Sequence, residues 1–132
     1  MRVFLVRHAE AEPGDPDEPD ELRRLTSHGR AQARELGRRF AREPSRPEAV
    51  LSSPLARARE TADAIANELE LDAEQDDRLA PGLTVDALRE ATRHRGETVV
   101  AVAHQPDCGD VAAALTGAEA RFPPGGVCEL AL

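Results

Sequence analysis

A chain of 132 residues has room for one domain whose core stands without disulfides or a structural metal. Leu, Ile, Val and Phe number 27, about a fifth of the chain, and the net charge is −8, so the composition lies near the border of disorder and folding must rest on periodicity. With 25 Asp and Glu against 17 Arg and no Lys, the overall charge argues against nucleic acid or an anionic membrane as partner, since those are met by clustered cations.

In chain order, "RVFLV" (2–6) is a short apolar run that predicts a buried strand. The stretch 12–21, with three prolines and six acids, predicts a solvated loop. Residues 25–43 place Ala33, Leu36, Gly37 and Phe40 at helical spacing, with Thr26 or Ser27 as cap. A second strand is predicted over 48–53 and a helix over 54–69, with Leu55, Ala58, Ala62, Ile65 and Leu69 on one side. Ser53 before Pro54 reads as its cap, because Ser is favoured there and Pro at the first helical position. A weak edge strand falls within 73–82, and a third helix, capped by Thr84, over 84–94. "ETVVAVAH" (97–104) is the clearest strand, followed by a short helix over 107–117 ending at Gly117 and a last strand over 126–132. Strands alternating with helices predict an α/β sheet, mostly parallel, with helices on both faces. No repeat or linker divides the chain, so 1–132 is expected to be one domain.

The chain opens directly into its first strand and has no apolar segment of membrane-spanning length, so a cytoplasmic location is expected. Cys108 and Cys128 lack C-x-x-C or zinc-site spacing and read as free thiols. Much of the remaining apolar content is alanine, which predicts modest stability that rises when salt screens the acidic surface.

If the strands are parallel, the ends of the first, second and fourth share one edge, where open α/β sheets hold their ligands. Arg7 and His8 lie on the first end and His104 on the fourth. Arg57 lies in the opening turn of the helix after the second, whose side chains lean back toward that edge. Taken singly, each has a structural reading: a hydrogen-bonded histidine or a solvated helix arginine. Together they describe an anion site.

"VRHAEAEPG", "RRLTSHGRAQA", "LSSPLARARETA" and "VAHQPDCGDVAAALTG" resemble, in order and spacing, the blocks of the histidine phosphatase superfamily, with its three-layer α/β/α, phosphoglycerate-mutase-like fold. The short length, the R-H-A form of the first block and the L-T-x-x-G block look most like the SixA-type phosphohistidine phosphatases. The resemblance implies a histidine phosphatase domain in which His8 is the nucleophile, Arg7 and Arg57 bind the transferred phosphoryl group, His104 completes the pocket and the backbone amide of Gln105 adds a donor. Glu60 stands where the family often has glutamine, and Ala9 where many members have glycine. No metal and no cofactor is implied. A neutral His8 would need one ring nitrogen free and the other held, for instance by a backbone carbonyl.

The family's monoesterases carry a carboxylic acid that protonates the leaving alkoxide. Glu10, Glu12, Asp77 and Asp107 are the candidates by position, each with a plain reading as a solvated acid. An imidazole, with a pKa of about 6.5, leaves without such help. Phosphohistidine on a protein is therefore the expected substrate. The alternatives are a small phosphorylated molecule, or a module that binds phosphate or a phosphoprotein without turnover.

Other phosphatase chemistries fit less well. A C-x5-R motif fails because Ala114 stands where Cys108 would require Arg, and Asp15 and Asp17 follow no strand as a D-x-D nucleophile would. A metallophosphatase would draw on His8, His104 and Asp107. Arg30, Arg34, Arg38 and Arg42 form a basic stripe on the first helix, read as a solvated face interleaved with Glu35 and Glu43 or, more sharply, as a dock for an acidic phosphoprotein.

Overall fold

The computed structural model describes all residues, Met1–Leu132. Its strands are β1 (Arg2–Arg7), β2 (Ala49–Ser52), β3 (Ala73–Gln75), β4 (Thr98–Ala103) and β5 (Val127–Ala131). Its helices are α1 (Ser27–Ala41), α2 (Ala56–Glu68), α3 (Val85–Thr92) and α4 (Asp107–Thr116). One sheet runs in the order β3-β2-β4-β1-β5. The first four strands are parallel, and β5 returns antiparallel against β1.

Side-chain alternation along the strands sorts the core into two layers. Val3, Leu5, Val99 and Ala101 pack with Leu88 and Ala91 of α3 and with Cys108, Val111 and Ala112 of α4. Phe4, Val6, Val50, Val100 and Val102 face Leu36 and Phe40 of α1 and Ala58, Ala62 and Ile65 of α2. β4 is buried along its whole length, as a central strand covered on both faces must be. The architecture is the expected α/β/α sandwich.

The predicted helices appear with small shifts. Thr26 caps α1 by accepting from Gly29 N–H, and Thr84 caps α3 from Ala87 N–H. α3 stops at Thr92, because Arg93 turns to ψ 133 and His94 to φ 62. Gly117, at φ 76, ends α4 in the left-handed conformation that glycine adopts without steric cost.

Ser53 is not the cap of α2. The helix begins at Ala56 with Leu55 as its cap residue, and no side chain bonds its first turn. The hydroxyl of Ser53 lies instead beside His104, as described below.

The basic stripe on α1 is largely met locally. Arg38 pairs with Glu35 and Glu68, Arg42 with Glu35, and Arg30 donates to Leu25 O and Ser27 Oγ. The solvated-face reading accounts for these contacts.

Candidate active site

Strand register sets this site. Arg7 of β1 lies opposite Ala103 of β4, and Ser52 of β2 opposite Val102, so the three parallel strands finish nearly level. His8, Ser53 and His104 therefore leave the sheet together at its C-terminal edge. Backbone bonds continue the ladder one step: His8 N–H donates to Ala103 O at 3.1 Å, and Ser53 N–H to Val102 O at 3.0 Å. Thr61, one turn into α2, ties that helix to the same edge. Its hydroxyl accepts from Ala9 N–H at 3.0 Å and donates to Arg57 O at 2.8 Å.

A further constraint comes from the start of α1. Thr26 N–H donates to Glu10 O at 3.0 Å, and Gly29 packs so closely on that carbonyl that a Cβ would collide with it. The glycine of the L-T-x-x-G block thus presses α1 onto the loop after His8. Glu60 Oε1 accepts Leu25 N–H at 2.8 Å. A glutamine would offer the same carbonyl oxygen, which explains why glutamate serves at this position.

His8 is buried, and its Nδ1 lies 2.8 Å from Ala9 O. A carbonyl only accepts, so Nδ1 carries the proton and the lone pair of the neutral ring sits on Nε2. Burial lowers the His8 pKa to about 4, helped by the charges of Arg57 and Arg7 and opposed by the Ala9 carbonyl. His104 is buried with its ring centroid 5.3 Å from that of His8. Its Nε2 lies 2.7 Å from Ser53 Oγ, while Nδ1 is buried without a partner. Burial first, then the neighbouring His8 and Arg57, lower its pKa to about 4 as well. Both rings are neutral at pH 7.

Two guanidinium groups complete the cluster. Arg7 Nη1 donates to Phe122 O at 3.0 Å, and its Nε is buried with no partner. Arg57 is buried and donates from Nη1 to Asp20 O at 3.0 Å and from Nη2 to Asp20 Oδ2 at 3.1 Å. Asp20, from the acidic loop, also accepts from Arg23 at 3.2 Å. Arg23, then Arg57, holds its carboxyl below the usual carboxylate range. A carboxylate thus already sits on one of the arginines as an anionic ligand does. None of the surface clefts is lined by Arg7, His8, Arg57 or His104.

The remaining candidates have these surroundings. Gln105 is exposed, and its side chain accepts Gly109 N–H in the first turn of α4. Asp107 accepts from Gly82 and Leu83 N–H, so it does not join His8 and His104 in a metal-binding set. Glu10 accepts from Thr26 Oγ1, and Glu12 and Asp77 are exposed. Both cysteines are free thiols. Cys108 is buried, and burial followed by Asp107 pushes its thiol up to about 12. Asp20, Arg23, Ser53 and Thr61 escape a reading of the sequence. The blocks containing the last three are visible there, but the partners lie up to 52 residues away.

The profile of the histidine phosphatase superfamily (branch 1) matches residues 3–81, more than half of the chain. The chain belongs to the histidine phosphatase superfamily. Among solved structures it resembles the protein histidine phosphatase SixA complexed with tungstate, at TM-score 0.86 and 27% identity over 100% of this chain and 88% of that one. It is also similar to a structure assigned as the phosphohistidine phosphatase SixA of Agrobacterium tumefaciens, at TM-score 0.83 and 28% identity over 97% and 89%. In sequence it is similar to the mitochondrial serine/threonine-protein phosphatase Pgam5 of Drosophila mojavensis, 39% identical over 70 residues. That alignment takes in 53% of this chain and only 24% of the fly protein. The superfamily fold accounts for the sheet, the two helical layers and the position of the histidine cluster.

Proposed function

We propose that this protein is a metal-independent phosphatase in which His8 takes the phosphoryl group, and that its substrate is phosphohistidine on a protein. The observation that carries the reading is the Nδ1 to Ala9 O hydrogen bond, which leaves an unprotonated Nε2 on a neutral ring among Arg7, Arg57 and His104. Phosphoryl transfer needs an aligned nucleophile and donors around the equatorial oxygens. Nε2 forms a bond to phosphorus as the P–N bond to the substrate imidazole breaks, and that imidazole takes a proton from solvent. Arg7, Arg57 and an N–H of His104 neutralise the oxygens. Water then attacks the phosphohistidine, releasing inorganic phosphate and restoring His8.

The leaving group supports the substrate class. The four candidate acids are bonded elsewhere or exposed, and Asp20 is held ionised by Arg23 and Arg57, which makes it a poor proton donor. An imidazole leaves without an acid far more readily than an alkoxide. The likeness to structures named as phosphohistidine phosphatases favours the same class. The likeness to Pgam5 favours a second reading, a phosphoserine or phosphothreonine protein, which demands a proton donor at the leaving oxygen.

The test is to trap an acid-labile, base-stable phosphoryl group on the wild-type protein and to compare turnover of phosphohistidine protein, phosphoserine protein and sugar phosphate, with and without EDTA. His8→Ala abolishes trapping. Faster turnover of phosphoserine than of phosphohistidine overturns the substrate, activity lost in EDTA overturns metal independence, and phosphate binding without any turnover leaves a binding module.

A further inference from the structure

We propose that Ser53 is a positioning residue that fixes His104 as the Nδ1–H tautomer, so that the second histidine meets the phosphoryl group with a proton rather than a lone pair. The inference rests on the phosphatase reading for its purpose, but its geometry stands independently.

One fully buried hydroxyl constrains where the hydrogen atoms lie. Ser53 Oγ accepts Leu55 N–H at 3.2 Å and lies 2.7 Å from His104 Nε2. A serine hydroxyl has one proton to give, and His104 Nε2 is the one acceptor the structure offers it. With the proton given to Nε2, every polar group of Ser53 is satisfied and the neutral imidazole carries its own hydrogen on Nδ1. The reverse assignment gives the oxygen two donors and strands the hydroxyl proton in the interior, while Nδ1 lacks a protein partner under either assignment. Buried polar groups are rarely left unpaired, so the first arrangement wins.

The consequence falls at Nδ1, which is buried and without a protein partner, as is Arg7 Nε. Two N–H donors with no protein acceptor thus belong to the same cluster as His8. A phosphoryl oxygen, which only accepts, suits an N–H there and is repelled by a lone pair. The neutral ring has only one hydrogen, and Ser53 decides which nitrogen holds it. The residue that reads in sequence as a helix cap bonds Leu55 N–H and His104 instead, and α2 starts at Ala56 without a side-chain cap.

The experiment reads the tautomer directly, from long-range proton–nitrogen NMR of the 15N-histidine-labelled full chain at pH 7, with His104 assigned by a His104→Gln variant. Wild-type His104 is expected as Nδ1–H, Ser53→Ala is expected to shift it toward Nε2–H, and Ser53→Thr, which keeps the hydroxyl, is expected to retain Nδ1–H. Turnover of an aryl phosphate or phosphohistidine protein should fall about 10- to 100-fold in kcat with Ser53→Ala, more than KM changes, and recover with Ser53→Thr. A wild-type His104 in the Nε2–H form overturns the proposal, and so does a folded Ser53→Ala whose tautomer is unchanged. If Ser53→Ala does not fold, the wild-type spectrum alone decides. Nδ1–H in a protein that never forms a phosphoenzyme sinks the phosphatase reading and leaves the role of Ser53 standing. A phosphoenzyme that forms with His104 as Nε2–H does the opposite.

Discussion

Asp20 occupies one face of Arg57, and replacing it isolates what that occupation costs. In Asp20→Asn the backbone carbonyl still accepts from Arg57 Nη1 at 3.0 Å, so the loop keeps one anchor, while the charged contact at 3.1 Å becomes neutral. The Asp20 side chain is 59% exposed, so its pairing with Arg57 is solvent-screened, and such pairs contribute about 0.2–1 kcal/mol. An incoming phosphate must give up that pairing and also approach the carboxylate. Removing the charge should therefore tighten competitive inhibition by inorganic phosphate by up to about 5-fold at low ionic strength, that figure being 1 kcal/mol converted at RT of about 0.59 kcal/mol. The assay is the inhibition constant for phosphate, taken for wild type and variant at low and at high salt. The gain should shrink as salt rises, because screening weakens the original competition. An inhibition constant that is unchanged or weaker in Asp20→Asn would refute competition between this carboxylate and the phosphoryl group.

Arg57→Lys keeps the charge but loses the planar fork, and kcat should drop by about 10²-fold in a steady-state assay, with a near-normal rate counting against Arg57 as an oxyanion donor. NMR titration of the ring protons of His8 and His104 should give midpoints near pH 4 rather than 6.5. Because the unfolded chain takes up these protons near pH 6.5 and the folded one only near 4, the stability contributed by keeping both rings neutral is present above 6.5 and lost as pH falls from there toward 4, seen as a declining Tm. Gly29→Ala drives a methyl group into Glu10 O, and overpacking of about 1–3 kcal/mol should lower Tm by roughly 3–10 °C in calorimetry.

Much of this architecture is written in short-range pattern. Val3 and Leu5 alternate with Phe4 and Val6 because β1 is covered on both faces, and the helical spacing of Ala33, Leu36 and Phe40 matches the face that α1 buries. The convergence of Arg7, His8, Arg57 and His104 follows from parallel strands finishing level, which the order of elements already implies. The finer chemistry is illegible because it lies in pairings between distant segments. Asp20 meets Arg57 across 37 positions and Ser53 meets His104 across 51, and no local spacing marks either. Ser53 is instructive, since its neighbour Pro54 gives a sound local reason to expect a cap, yet its hydroxyl meets Leu55 N–H and His104 while α2 begins at Ala56. The antiparallel direction of β5 likewise depends on how the chain from Gly117 to Gly126 folds back, which strand composition does not encode.

The sulfur of Cys108 lies in the core behind β1, 3.9 Å from Val6 O, as an un-ionised thiol. Hydrogen peroxide attacks thiolates, so a phosphatase that relies on a cysteine falls silent in an oxidative burst. In the proposed mechanism the reactive atom is an imidazole nitrogen, and the buried Cys108 is packed away in its protonated form. If His8 carries the phosphoryl group, dephosphorylation by this protein should continue at peroxide concentrations that switch off cysteine-dependent enzymes.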